Sequence, residues 1–139
     1  MTDTAQPAAY AKPKSTVVPY LTVDGAARPA EFYKRALGAE VAAMHPVDDQ
    51  GRTMHVHLYI NGGSVMLSDA YPDHGHPFKE PAGFNVSLQV DDADAWWKRA
   101  VEAGATGVQP VSEMFWGDRF GIFKDPFGVI WTLNQPKAA

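Results

Sequence analysis

His55 and His57 are the first pair in this sequence whose type and spacing invite chemistry. Residues two apart on a strand project from the same face, so the two imidazoles can share one space. They can then be half of a metal site, walls for a bound guest, or ordinary half-exposed side chains. Near neutral pH an imidazole can also relay a proton. A dependable third metal ligand is missing, because Glu40, Asp69 and His45 approach only if the sheet geometry brings them there. A second string, Phe115-Trp116-Gly117-Asp118-Arg119, combines an aromatic wall with two opposite charges. It reads equally as the rim of a binding cleft and as a tight turn with a packed aromatic and a surface ion pair. His74 and His76 fall in the Pro- and Gly-rich stretch YPDHGHPFKEP and read as a solvated loop. No Ser-His-Asp order, Gly-rich phosphate loop or close carboxylate pair occurs, so no catalytic residue is assigned.

The elements that position these residues must come from a small chain. Its 139 residues contain no cysteine, which excludes a disulfide framework, a thiolate metal site and a cysteine nucleophile, and suits a reducing cytoplasm. Net charge is −4 with no dense Lys/Arg cluster, the opposite of a nucleic-acid binder's basic stripe. No apolar run reaches the ~18 residues of a membrane span, and no charged-then-apolar leader opens the chain. The expected organisation is a flexible tail over 1–14, one domain over 15–134, and a short tail over 135–139. Within the domain, module one covers 15–70, a linker 71–82, and module two 83–134.

Two modules are expected because the sequence repeats. VVPYLTVDGAARPAEFYKRALGAEV (17–41) and FNVSLQVDDADAWWKRAVEAGATGV (84–108) share a layout. Each has an alternating run ending in Val-Asp, an amphipathic segment, then Gly and a return to Val. Val23 and Val90 are 67 residues apart, Gly38 and Gly104 are 66, and Gly63 and Gly128 are 65. Three landmarks within two residues of one offset argue for duplication. The spacing predicts strands at 16–23, 40–45, 53–60 and 64–69 around a helix at 27–37. It then predicts strands at 84–90, 107–112, 119–124 and 128–134 around a helix at 92–103. Asp24 and Asp91 are candidates to cap or precede the helices, and Gly38 and Gly104 to end them.

Alternation assigns the faces. Leu21, Val23, Val56, Leu58, Ile60, Val65, Leu67, Trp131 and Leu133 fall on apolar faces, together with Met54. The opposite faces are mixed and carry Tyr20, Thr22, His55, His57, Tyr59, Ser64, Met66 and Ser68 in module one. In module two they carry Asn85, Ser87, Gln89, Ile130, Thr132 and Asn134. Such a face is either wet, as in many antiparallel sheets, or the half-apolar wall of a binding site. Tyr20, Met66 and Ile130 favour the second.

The segments PYLTVDGAARPAEFYKRALGAE (19–40), GGSVMLSD (62–69) and FWGDRFGIFKDPFGVIW (115–131) resemble the vicinal oxygen chelate superfamily. That group includes glyoxalase I, bleomycin-resistance proteins and extradiol dioxygenases, and the likeness is greatest to its PhnB-like, glyoxalase-like members. The resemblance implies an α+β fold of two tandem βαβββ modules forming a U-shaped, mixed/antiparallel sheet cleft. Metal-dependent relatives place His or Glu ligands on four strands; the matching positions here are Val18, Ser68, Asn85 and Thr132. None is a good ligand for a divalent ion, so neither metal nor cofactor is expected. The resemblance thus implies a homodimeric small-molecule binding protein whose guest is cationic or aromatic. Tyr20, His55, His57, Ser68, Asn85, Trp116, Asp118, Arg119 and Thr132 would line its site. The alternative is a lyase, isomerase or oxygenase using His55 and His57.

Overall fold

A computed structural model describes residues 8–25 and 27–137. Residues 1–7 and 138–139, assigned above to the two tails, lie outside the described residues. The first half runs β1 (Tyr20–Val23), α1 (Ala27–Leu37), β2 (Glu40–Met44), β3 (Val56–Ile60) and β4 (Gly63–Asp69). The second runs β5 (Val86–Gln89), α2 (Ala93–Glu102), β6 (Thr106–Glu113), β7 (Arg119–Lys124) and β8 (Ile130–Gln135). Between them a single 3-10 turn spans Pro72–His74. The strands form two four-stranded sheets of identical order, β1-β4-β3-β2 and β5-β8-β7-β6. In each, the first strand pairs parallel with the fourth and the remaining pairs are antiparallel. The fold is therefore α+β and duplicated, and the chain divides into two compact units carrying one sheet each.

The helices form where the apolar spacing asks for them. On α1 the residues Phe32, Tyr33, Ala36 and Leu37 are buried, the i, i+1, i+4, i+5 stripe of an amphipathic helix. α2 packs on β6, β7 and β8, and its Trp97 donates its indole N–H to the Ile122 carbonyl at 3.1 Å. The cap of α2 is Asp92, whose carboxylate accepts from the Ala95 amide at 3.1 Å; Asp91 only precedes it. The β3–β4 hairpin closes with Asn61 and Gly62, both at positive φ (49° and 80°). That is the conformation a two-residue turn needs to match strand twist.

A shared device occurs at the last residue of the fourth strand of each module. In module one, the buried Asp69 carboxylate accepts from the Gly25 amide ahead of α1 and from Thr53 N–H at 2.7 Å. In module two, Gln135 ends β8 and its side chain accepts from Ala93 N–H, the first amide of α2, at 3.0 Å. Gln135 thus belongs to the fold, although the sequence assigns it to the C-terminal tail. The two residues differ chemically but tie the strand end to the helix start in the same way.

The N-terminal segment also departs from expectation. From residue 8 it lies along sheet one: the Ala8 carbonyl accepts from Met44 N–H (2.8 Å) and the Lys12 carbonyl from the Tyr59 hydroxyl (2.8 Å). Lys14 N–H donates to Ser64 Oγ at 2.9 Å, and Ser64 N–H to Ser15 Oγ at 3.2 Å. Main-chain groups make most of these bonds, which composition does not reveal. Strand β1 begins at Tyr20 rather than at residue 16.

Candidate functional site

The mixed face of sheet one comes together as the alternation requires. The ladder sets Tyr20 beside Met66, Met66 beside His57, and Thr22 beside Ser68. At one end of this face is a hollow of about 350 Å³ lined by Tyr20, His45, Met54, His55 and Met66, with Ala9, Tyr10 and Ala11 of the N-terminal segment as its remaining wall. Tyr20 Oη and His55 Nδ1 are 3.1 Å apart. The His55 ring centroid lies 5.1 Å from that of His45 and 6.4 Å from that of His57.

His45 and Met54 enter this site for one local reason. Thr53 is fully buried and donates its hydroxyl to the His45 carbonyl at 2.9 Å, while His45 N–H donates to the His55 carbonyl. This continues the pairing past the end of β2 and breaks the alternation at 53–55. Met54, placed on the core face by pattern alone, is instead 67% exposed and lines the hollow. Asp69 is turned to the opposite face by its two amide partners, and Glu40 sits across from Tyr59, far along the strand from His55. Among the described residues, no three His, Asp or Glu side chains gather as an ion would require.

His57 is fully buried rather than open to the hollow. Its Nε2 lies 2.7 Å from Ser64 Oγ, its ring meets Tyr59 edge-on at 5.0 Å, and its Nδ1 has no hydrogen-bond partner. Ser68, one pair along the sheet, donates its hydroxyl to the Asp69 carbonyl. His74 and His76 are both exposed in the segment after β4.

The remaining sequence candidates belong to sheet two. Asn85 is exposed just before β5, and Thr132 is buried in β8 between Ser87 and Ile122. The β6–β7 turn presents Phe115 almost wholly to solvent, edge-on to Trp116 at 4.8 Å. Asp118 and Arg119 do not pair with each other. Asp118 accepts from Asn134 Nδ2 (3.0 Å) and Lys137 N–H (2.7 Å), which holds its carboxyl below the usual carboxylate range. Arg119, one residue on, points to the other face and grips Asp94 of α2 in a two-pronged bond of 2.8 and 3.0 Å. A period-two strand cannot give both charges to one rim.

Electrostatics separate His55 from an ordinary histidine. Partial burial, then repulsion from His45 and His57, holds its pKa below the usual imidazole value, while burial raises that of Tyr20. Both groups are neutral at pH 7. The folded chain resists a proton that the unfolded chain accepts, so unfolding takes up protons as the pH falls through about 6.5. Thermal stability is expected to fall as the pH drops through about 6.5, above the window of the carboxylates. In His55→Gln this step shrinks, as melting curves across the range would record; an unchanged step would exclude His55 as its source.

The family model of the glyoxalase/bleomycin resistance protein/dioxygenase superfamily matches residues 15–133. The chain belongs to that superfamily. It is 40% identical over 124 residues to the uncharacterized protein Mb0911c of Mycobacterium bovis, an alignment covering 85% of this chain and 81% of that one. Among solved structures it is similar to protein PA1353 of Pseudomonas aeruginosa, with a TM-score of 0.70 and 32% identity over 88% of this chain and 98% of that one. TioX of a Micromonospora species also gives a TM-score of 0.70, at 26% identity, covering 87% and 98%.

Proposed function

We propose that the chain binds an uncharged, planar aromatic small molecule in the hollow on sheet one, without an ion at the positions its metal-dependent relatives use. The observation that carries this reading is the lining itself. Two thioethers (Met54 and Met66), two imidazoles and two phenols surround about 350 Å³, with no Asp, Glu, Lys or Arg among them. That volume lies at the small end of the ~300–1,000 Å³ range of ligand sites. Thioethers pack well against ring edges, while Tyr20 and His55 offer polar handles. A cationic guest would find no counter-charge in this wall, so the aromatic option is preferred.

Donor chemistry supports the metal-free part. Val18 offers no ligand atom, the Ser68 hydroxyl is engaged by Asp69, and Asn85 and Thr132 are neutral oxygen donors. An acid–base enzyme relying on His55 and His57 fits less well, because His57 is sealed from the hollow and bonded to Ser64.

Calorimetric titration with 2-naphthol, indole and the cation N-methylquinolinium tests this. The two neutral compounds should bind and the cation should not. His55→Ala and Met66→Ala should each weaken binding about tenfold, the equivalent of about 1.4 kcal/mol, with far-UV dichroism unchanged. Absence of heat with both neutral compounds, or affinity indifferent to both substitutions, would overturn the assignment.

A further inference from the structure

We infer that residues 8–15 form a displaceable strap over the inner end of the guest site, and that His57 beneath it is a second polar anchor that the guest reaches when the strap lifts. This rests on the hollow being the binding site. Three independent observations carry it. The first is the orphaned atom: His57 is fully buried, yet its Nδ1 meets no donor or acceptor. A polar atom removed from water without a partner destabilises the fold, and such an atom on a binding face has an obvious use in a ligand.

The second is what seals it. Ser64 Oγ, the partner of His57 Nε2, also accepts the Lys14 amide. Tyr59, edge-on to His57, donates its hydroxyl to Lys12 and carries the Lys14 ammonium over its ring at 4.1 Å. Strap residues therefore dock on Tyr59 and Ser64, the cross-strand pair that follows His57 along β3. The third is how lightly the strap is held. Ala8, Ala9, Tyr10, Lys12 and Lys14 are all exposed, so it buries little apolar surface and relies on a few hydrogen bonds. Segments with few buried contacts are the first to open. Lifting the strap's end at residues 12–15, with Ala9, Tyr10 and Ala11 kept as the wall of the hollow, would join the hollow to His57 as one groove along β3. The strap's main chain stands in for a guest's polar edge.

Diethylpyrocarbonate, which acylates accessible neutral imidazoles, reads this in the full chain when each histidine is followed by tandem mass spectrometry. In the unaltered protein His57 should react at least tenfold more slowly than His55. Lys14→Pro removes the amide donor and Tyr59→Phe removes the hydroxyl while keeping the ring. Together they should bring His57 to within threefold of His55 and raise 2-naphthol affinity about fivefold, and adding His57→Phe should abolish that gain. Tyr59→Phe alone, the milder variant, should move both readings in the same direction. Equal reactivity of His57 and His55 in the unaltered chain overturns the strap. So does a released chain that binds 2-naphthol no more tightly. If 2-naphthol binds neither chain, the hollow itself is wrong; if it binds both equally, only the strap is.

Discussion

Asp125→Ala is expected to cost about 4 kcal/mol of unfolding free energy, because one buried carboxylate organises a whole turn. One oxygen accepts from Phe127 N–H (2.9 Å) and Val129 N–H (3.0 Å), and the other from the indole N–H of Trp131 (2.9 Å). Asp125 is 3% exposed and Trp131 fully buried, so water cannot replace these bonds. A hydrogen bond to a charged group is worth roughly 1.5–3 kcal/mol, and donors left buried without an acceptor add to the loss. With native stabilities near 5–15 kcal/mol, the substituted protein should unfold at a much lower urea concentration. Asp125→Asn should lose about half as much, since one oxygen can still serve the turn while the amide nitrogen cannot accept from Trp131. Fluorescence and far-UV dichroism would record both transitions, and a loss below about 1 kcal/mol for Asp125→Ala would contradict this account.

The second large effect is steric. Gly121 sits in β7, where a Cβ would come within 2.7 Å of Val111 Cγ2 and 3.2 Å of both the Gln109 carbonyl oxygen and Val111 Cα. Two of those three neighbours are backbone atoms, which cannot swing aside. The β6–β7 register shifts twice nearby, between Gly107 and Gln109 and between Gln109 and Ser112, so β6 bulges against this point. Gly121→Val is expected to cost about 3 kcal/mol and Gly121→Ala about half of that, in the range for overfilled cores. Urea titrations in which Gly121→Val unfolds alongside the parent would refute the tight approach.

How much the residues alone reveal depends on the range of each signal. Helix α1 begins and ends where the apolar stripe and Gly38 place it, because amphipathic period and a glycine stop are local properties. The repeated order of strands was legible because duplication copies spacing. The face shared by Tyr20, His55 and Met66 was legible because strands alternate. The failures all concern partners far away in sequence or bonds made by the main chain. His45 joins His55 through pairing that outlasts β2, and Met54 swings outward because Thr53 is committed to the His45 carbonyl. Arg119 turns to Asp94, 25 residues back, and the strap docks through main-chain groups common to every sequence. Hydrophobic pattern carries none of that information.

The parallel pairing of first and fourth strands sets an order of events on the ribosome. Tyr20 lies 46 residues before its neighbour Met66, and Val86 lies 45 before Trp131. Each opening strand must therefore stay unpartnered until almost its entire half has been synthesised, since closing so long a loop brings no compensating contacts earlier. Nascent chains arrested before β4 or before β8 should both carry an unmatched leading strand, a vulnerability that gene duplication copied along with the architecture.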